Sequence, residues 1–498
     1  EHGSGTEVPY QRFDATSEIL FRALGLPALG YTVFDLVPGD PTAVPAGTLN
    51  ATLTSLENDY YSISVDTTDG SLSSVVEKAT GRQLVDTGST LKFNRLASLI
   101  KQDADAKTTP HQEPAGTVSL SLDSTGPLVA ALRVTRAGTP LTSTVYRLYR
   151  GEDRVEIENT LDRAQMPYVP YAQSFRAYTV SLPFNVHNFH IRSESTTRFL
   201  DPLADGFARS SYFDWHNVEH TLAFWDGGGG VWYACDGSDA HFFDKLSTLA
   251  SGEWSTANGN VLSRLWDKVD EYQFADGTIG PFTIEPGTDS VLRYTHHFRG
   301  TPASFDPAAA SRWGFGVLNA PLARVIGARG GILPADSASF IAVDPPGVLP
   351  YTVKRADDGN GLVVRLTELT GQPTTARISS GIFLLDAPLL VEQDEDGGSP
   401  LPLDASGAVV VTLAPYQTAT VRVQASVPLA PISLVVTKAA AADSVHLQWS
   451  GGRAPYTLRR AEDPQFTTGV VTLVDGQNVT SYDDPVLSDG KNYFYEVH

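Results

Sequence analysis

Apolar and polar residues alternate with a period of two along much of this chain, and the alternation is clearest within residues 56–86, LENDYYSISVDTTDGSLSSVVEKATGRQLVD. Tyr61-Ser62-Ile63-Ser64-Val65 reads as a strand with one buried face. Residues 72–76 and 83–85 read as two more, and Asp69-Gly70 and Thr80-Gly81 between them supply the turn chemistry of hairpins. Four further runs follow at close spacing, over 118–122, 128–134, 141–149 and 154–161, with a hairpin expected around Gly151-Glu152-Asp153. No helical period separates them, so a sandwich or barrel is expected here, not a parallel α/β sheet.

The pattern shifts at several points. Within residues 15–25, Ile19, Leu20, Phe21, Ala23 and Leu24 follow Thr16-Ser17 and precede Gly25 and Pro27, which predicts one short capped helix. Residues 29–36 predict a strand, and Pro38, Pro41 and Pro45 a linker. Pro302, Pro307 and the alanines 308–310 mark a boundary, after which 340–343, 361–366, 375–378 and 409–413 read as strands. Beyond Pro428 and Pro431, Val445-His446-Leu447-Gln448-Trp449 places a buried Trp on an early strand, and Tyr493-Phe494-Tyr495-Glu496-Val497 alternates at the end. The division is therefore a connector with a short helix and strand (1–50), a large sandwich or barrel (51–300), a second β-sandwich (301–427) and a small third unit (428–498). The last resembles a fibronectin type III module without its closing strand, so the natural protein is expected to continue. No period of 20–50 residues repeats, which argues against a solenoid or propeller.

Composition narrows the class. With 43 Gly, 32 Pro and 19 % charged residues, the chain suits a β-rich globular protein with many turns. A net charge of −21 argues against nucleic acid or an anionic membrane as partner. No apolar run reaches the ~18 residues of a membrane span. The single cysteine, Cys235, excludes an intrachain disulfide. The one methionine is Met166 and the chain starts at Glu1, so a processed or excised piece of an exported bacterial protein is expected, secreted to an extracellular or periplasmic site.

Several strings, taken in order, resemble the β region that follows the catalytic domain in glycoside hydrolase family 38 α-mannosidases. Gly30-Tyr31-Thr32-Val33-Phe34 is similar to the strand that enters that region, and residues 56–86 to its opening. Tyr146-Arg147-Leu148-Tyr149 with Arg154-Val155-Glu156-Ile157-Glu158-Asn159 resembles its central hairpin. Residues 203–235, and 261–294 with Trp266, Gly280 and Arg293-Tyr294, resemble its later strands. Thr352-Val353-Lys354-Arg355-Ala356, Gly361-Leu362-Val363-Val364-Arg365-Leu366 and Gly371 resemble the final sandwich. The fold implied is mainly β, a galactose mutarotase-like supersandwich plus smaller β-sandwich domains.

The resemblance implies retaining hydrolysis of α-mannosides, with zinc gripping the sugar hydroxyls. Retention needs two carboxyl groups only about 5 Å apart on one rigid scaffold. In the family that scaffold is an N-terminal α/β barrel with a His-x-Asp motif. This sequence has no His-x-Asp, so the catalytic domain is expected upstream of Glu1 and the chain alone is expected to be inactive. The family's last zinc ligand is a His shortly before Gly-Thr. His2 in Glu1-His2-Gly3-Ser4-Gly5-Thr6 stands near that place, with shorter spacing and without the neighbouring Asp. One imidazole does not hold zinc alone.

Other candidates come from residue type. Tyr212, Asp214, Trp215 and His216, with Trp225, Trp232 and Tyr233, concentrate aromatic faces and hydroxyl-binding groups suited to a carbohydrate, or else to a sandwich core. His187 and His190, His216 and His220, and His296-His297 are poorly spaced for chelation on strands. Residues 227–230 read as a hairpin loop, and Asp394-Glu395-Asp396-Gly397 as an acidic surface loop. Where relatives carry Asn and Trp on a loop near the sugar, this chain has Trp266-Asp267-Lys268-Val269-Asp270-Glu271, which leaves the glycan open. Two other readings stand beside a mannoside hydrolase. One is a non-catalytic carbohydrate-binding or adhesive protein. The other is a polysaccharide lyase or mutarotase-like enzyme with a His/Tyr or His/Glu pair on a sheet face.

Overall fold

A computed structural model describes residues 10–13, 18–35, 46–100, 110–171, 176–195, 198–202, 204–205, 215–238, 240–243, 247–248, 253–254, 259–281, 289–326, 337–426, 432–438, 444–451, 456–485 and 491–497. The chain is mainly β, and its largest body is a supersandwich of long antiparallel sheets. One sheet has nine strands in the order Thr117–Thr125, Val129–Ala137, Leu141–Tyr149, Val155–Asp162, Val291–Thr301, Gly229–Asp236, Leu222–Asp226, His190–Ser195 and Arg198–Leu200. A six-stranded sheet runs Pro110–Gln112, Arg95–Ile100, Arg176–Phe184, Gly259–Lys268, Ala240–Phe243 and Trp215–Asn217.

Aromatic rings from both sheets fill the space between them. Phe184 of the six-stranded sheet meets Phe298 and Phe224 of the nine-stranded sheet edge-on, each at 5.3 Å, and Phe93 at 5.0 Å. Edge-to-face contact suits the ring quadrupoles and adds to the large apolar area removed from water.

The opening string at 56–86 forms a five-stranded sheet of its own, Leu49–Ala51, Ser55–Asn58, Tyr61–Val65, Leu72–Glu77 and Arg82–Gln83 in sequence order. Tyr61, Ile63 and Val65 are buried while Ser62 and Ser64 face water, as their alternation predicts. Gly70 and Gly81 both take positive φ, at 71° and 72°, in the turns where Asp-Gly and Thr-Gly place them. The Gly70 carbonyl then accepts from the buried Tyr146 hydroxyl (2.7 Å) and from Arg136 (3.1 Å). Thr144, Asn159 and Asn94 continue this buried network, so the turn is tied into the large sheet with its polar atoms paired.

One expectation is corrected. Residues 18–21 are a strand, not part of a helix: Glu18–Phe21 pairs antiparallel with Tyr10–Phe13. An isolated helix of about ten residues is marginal in water, and a partner strand satisfies the backbone of Ile19-Leu20-Phe21 instead. Pro307 and the alanines after it open helix α1, Pro307–Leu318. Asp306 caps it by accepting from the Ala309 N–H, and Pro307 occupies the first turn, where its missing N–H costs nothing. The strand expected at 29–36 is observed over Gly30–Thr32, and it pairs with Ser337–Ser339 from the far side of α1.

Further on, a three-stranded and a five-stranded sheet between residues 342 and 426 enclose a second core that includes Ile341, Val364, Leu366, Ile378, Val411 and Val421. Residues 433–497 form two three-stranded sheets around Trp449, which is buried and meets Tyr456 edge-on at 6.1 Å.

Candidate functional site

The residues expected to bind carbohydrate or metal fall largely beyond description. His2, Tyr212 and Asp214 lie outside the described residues. The backbone of Trp215 and His216 is described, in the edge strand Trp215–Asn217 that pairs with Ala240–Phe243. The remaining histidines do not converge. His187 contacts Asn185 at 3.0 Å, His190 stacks on Trp225, and His296 is buried against the Tyr233 hydroxyl at 2.9 Å. His297, one residue on, faces the other side of the sheet. Residues 227–230 make the hairpin between Leu222–Asp226 and Gly229–Asp236. Among the described residues no group of three His, Cys, Asp or Glu is arranged to hold a metal ion.

Three clusters carry chemistry. The first lies on the outer face of the nine-stranded sheet, where register places Arg147 beside Glu156 and Glu156 beside His297. Arg147 Nη1 donates to Glu156 (3.0 Å) and Glu158 (3.1 Å), and the Tyr149 hydroxyl donates to Glu156 (3.0 Å). His297 Nδ1 stands 3.7 Å from Glu156. Burial lowers the His297 imidazole to about 4 against the pull of that carboxylate, so it is neutral at neutral pH. Glu156 and His297 are 8 % and 4 % exposed, so the pair is a packed ion network more than an open site.

The second cluster lies under α1. Glu194, fully buried, accepts from Ser311 Oγ of the helix (2.8 Å) and from the Thr221 N–H (3.1 Å). Thr221 Oγ1 donates to the Ala310 carbonyl (3.0 Å), and His220 stacks on Phe315 at 3.7 Å. Gly314 sits directly over Thr221 and His220, where a Cβ would collide with Thr221 Oγ1. Burial pushes the Glu194 carboxyl up to about 7 despite its two donors.

The third cluster is open to solvent. The strand Gly259–Lys268 leads into a hairpin in which Glu271–Gln273 pairs with Ile279–Pro281. A loop following the short 3₁₀ turn Arg163–Gln165 runs beside it, anchored inward by the buried Met166 and Val169. Asp270 accepts from the Val169 N–H (2.7 Å) and from Lys268 (2.6 Å). Glu271 accepts from the Tyr171 N–H (2.6 Å), and Tyr171 donates its own hydroxyl to Gln273 (2.6 Å). The Tyr168 hydroxyl and then the Tyr171 N–H hold the Glu271 carboxyl below its ordinary value. Tyr168 is 63 % exposed and Phe274 45 %.

Residues 56–197 match the glycosyl hydrolases family 38 C-terminal domain. Residues 348–421 match the glycosyl hydrolases family 38 C-terminal beta sandwich domain. The chain carries the C-terminal β region of glycoside hydrolase family 38. No curated protein matches it in sequence. A glycosyl hydrolase family 38 protein from Enterococcus faecalis aligns at 14 % identity and TM-score 0.56, over 84 % of this chain and 53 % of its own. An alpha-mannosidase from Enterococcus faecalis V583 aligns at 14 % identity and TM-score 0.53, over 76 % and 43 %. The chain thus spans about half the length of these family 38 structures. A galactose mutarotase-like protein from Lactobacillus casei aligns at 11 % identity and TM-score 0.28, over 50 % of this chain and 99 % of its own.

The resemblance had drawn attention to residues 266–271 but not to Tyr168, Tyr171 or Phe274. The loop and the hairpin meet across about a hundred residues of sequence, Tyr171 to Glu271, and no local pattern announces that contact. The only signals were the aromatics in Met166-Pro167-Tyr168-Val169-Pro170-Tyr171 and the Asp276-Gly277 turn.

Proposed function

We propose that this chain is the C-terminal β portion of a secreted bacterial glycoside hydrolase resembling the retaining, zinc-dependent α-mannosidases, whose catalytic α/β barrel precedes it in the intact protein. The observation that carries the proposal is the match of two family 38 C-terminal modules in one chain, in order, at 56–197 and 348–421. Residues 428–498 act as a fibronectin type III-like appendage, a reading supported by two three-stranded sheets around Trp449.

The chemistry of the described residues fits a supporting role. Retaining hydrolysis needs two accessible carboxyl groups about 5 Å apart, one of them protonated near neutrality. Glu194 has the raised carboxyl but is sealed beneath α1. Glu156 and Glu158 both accept from Arg147, and Glu156 is 8 % exposed. The described residues do not fit zinc either, so no step is routed through a metal here. What this chain supplies to the reaction is a rigid wall beside the glycan, with the hairpin and the Tyr168 loop as its exposed polar and aromatic elements.

An assay of the intact protein on an aryl α-mannoside tests the reading. Hydrolysis that stops on chelation and returns with zinc is expected. Hydrolysis indifferent to chelator counts against the zinc mechanism, and no hydrolysis of any aryl glycoside overturns the assignment. A second reading, a lyase or mutarotase-like enzyme, has one observation in its favour: the His297–Glu156 pair on a sheet face. In that case His297→Ala abolishes turnover, whereas in the first reading it affects only stability.

A further inference from the structure

Single apolar side chains at a protein surface are ordinary, but a row of them on one anchored segment marks a place of contact. Residues 19–34, ILFRALGLPALGYTVF, hold one charged residue, Arg22, in a chain whose net charge is −21. Phe21, Leu24, Leu26, Leu29 and Phe34 stand between 37 % and 62 % exposed along this segment. The Phe21 and Phe34 rings meet edge-on at 5.1 Å, so the segment folds back and its two ends share one apolar surface.

The segment is tied down at several points. Arg22 donates to the Gly151 carbonyl (2.9 Å) and lies 3.4 Å from Glu152, both in a hairpin turn of the nine-stranded sheet. Glu18–Phe21 pairs with Tyr10–Phe13, and Gly30–Thr32 pairs with Ser337–Ser339. The Phe340 N–H donates to the Leu29 carbonyl (3.0 Å), and the Tyr31 ring meets the Phe340 ring at 5.6 Å. The cation and much of the backbone are therefore taken up within this chain, while the apolar side chains face water. Removing such side chains from water drives association, and a face without acidic groups suits an apolar partner better than a charged one.

We propose that residues 21–34 form the docking face for the catalytic domain that precedes residue 1 in the intact protein. The proposal rests on the hydrolase reading, which supplies that domain. Size and order along the chain select it as the occupant. This chain spans 53 % and 43 % of the two family 38 structures, so the rest of such a protein is a body of similar size. A domain joined through the first residues of the chain meets the face at a high effective concentration, which a free second copy does not.

Hydroxyl-radical footprinting of the 498-residue chain and of the intact protein tests the docking face. In the chain alone the exposed side chains of residues 21–34 are expected to label readily. In the intact protein their labelling is expected to fall about threefold or more, because interface cores pack as closely as protein interiors. Tyr416 and Phe494, exposed elsewhere, should label alike in both. Leu24→Asp combined with Leu26→Asp is expected to restore labelling of Phe21 and Phe34 in the intact protein. The same pair should leave the unfolding midpoint of the chain alone unchanged, since both side chains are exposed there. An intact protein that labels as fast as the chain, or a double variant as protected as the parent, overturns the docking face. Protection that rises with protein concentration in step with a dimer on sedimentation also overturns it, and gives the face to a second copy. The two readings fail separately. An intact protein that hydrolyses aryl α-mannoside while the face labels as in the chain keeps the hydrolase and loses the docking face. One that protects the face but hydrolyses no aryl glycoside keeps the docking face and loses the hydrolase.

Discussion

Glu194 and Glu271 each answer to one backbone N–H and one hydroxyl, yet their carboxyls move in opposite directions. Thr221 N–H and Ser311 Oγ leave Glu194 raised to about 7, while Tyr171 N–H and Tyr168 hydroxyl leave Glu271 lowered. The difference is water. Hydrogen bonds to a carboxylate always favour its charged form, but removing it from solvent opposes that and wins when burial is complete. The same donor set therefore builds a sealed structural tie under α1 and an open, ionised acceptor on the hairpin.

Removing each carboxyl breaks the comparison most severely. Glu194→Ala strands Ser311 Oγ and the Thr221 N–H in a buried space, and two such losses cost about 2–4 kcal/mol. Loss of that size is expected to lower the midpoint of chemical unfolding, and α1 should show earlier hydrogen exchange than the sheets. Glu271→Ala should leave the melting temperature within the scatter of replicate scans, because water replaces the lost partner. Equal effects from the two variants would remove the distinction.

Acidity separates them next. Glu194 has a folded value of about 7 against 4.5 when unperturbed, so its contribution to stability is complete below about pH 4.5. That contribution is lost as the pH rises to 7, because the unfolded chain releases the proton first; the loss is on the order of 3 kcal/mol. Glu271 works in the other direction, adding stability above its unfolded value that disappears as the pH falls through its lowered folded one. Glu194→Gln should flatten the fall between pH 4.5 and 7 seen in denaturant titrations of the parent. A parent whose stability does not change across that window would contradict the buried, raised carboxyl.

Neither glutamate was singled out by its own sequence context as one half of such a pair, and the reason is distance along the chain. The strands at 56–86 were legible because alternation and Asp-Gly turns are local, and residues 61–65 bury every second side chain as their pattern says. Helix α1 was legible in principle from Asp306-Pro307 followed by alanines, but the prolines nearby made the same string read as a boundary. The stretch at 18–21 misled because the three apolar residues Ile19, Leu20 and Phe21 fit a helix or a strand equally, and only the partner at 10–13 decides between them. Glu194 meets Ser311 across 117 residues, and Tyr171 meets Glu271 across 100, so both clusters are products of topology. The family resemblance was readable from the order of many weak motifs. The residues that line its open surface were not.

Backbone room sharpens the contrast on a smaller scale. Gly314→Ala would drive a methyl into Thr221 Oγ1 and the His220 Cβ, while Thr221 is held by the Ala310 carbonyl and cannot swing away cheaply. Overpacking of this kind costs about 1–3 kcal/mol, reduced by the ~1 kcal/mol that alanine gains over glycine inside a helix. A measured stabilisation would mean that α1 is not seated on Thr221 as described.

The mildest intervention is the matching one on the open side. Gly280→Ala brings a Cβ within 2.9 Å of the Phe274 ring edge, but the next ring atoms are 3.8 Å away and the ring borders solvent, so it can rotate aside. Stability should change by only a few tenths of a kcal/mol, the range of surface substitutions away from special features. What should change is the ring's position. In NMR spectra the Phe274 aromatic resonances are expected to shift while those of the core rings Phe184 and Phe298 stay fixed. A Gly280→Ala variant that loses several kcal/mol would instead show that this hairpin is packed as tightly as the ground under α1, and that the open and sealed sites are not two kinds of surface after all.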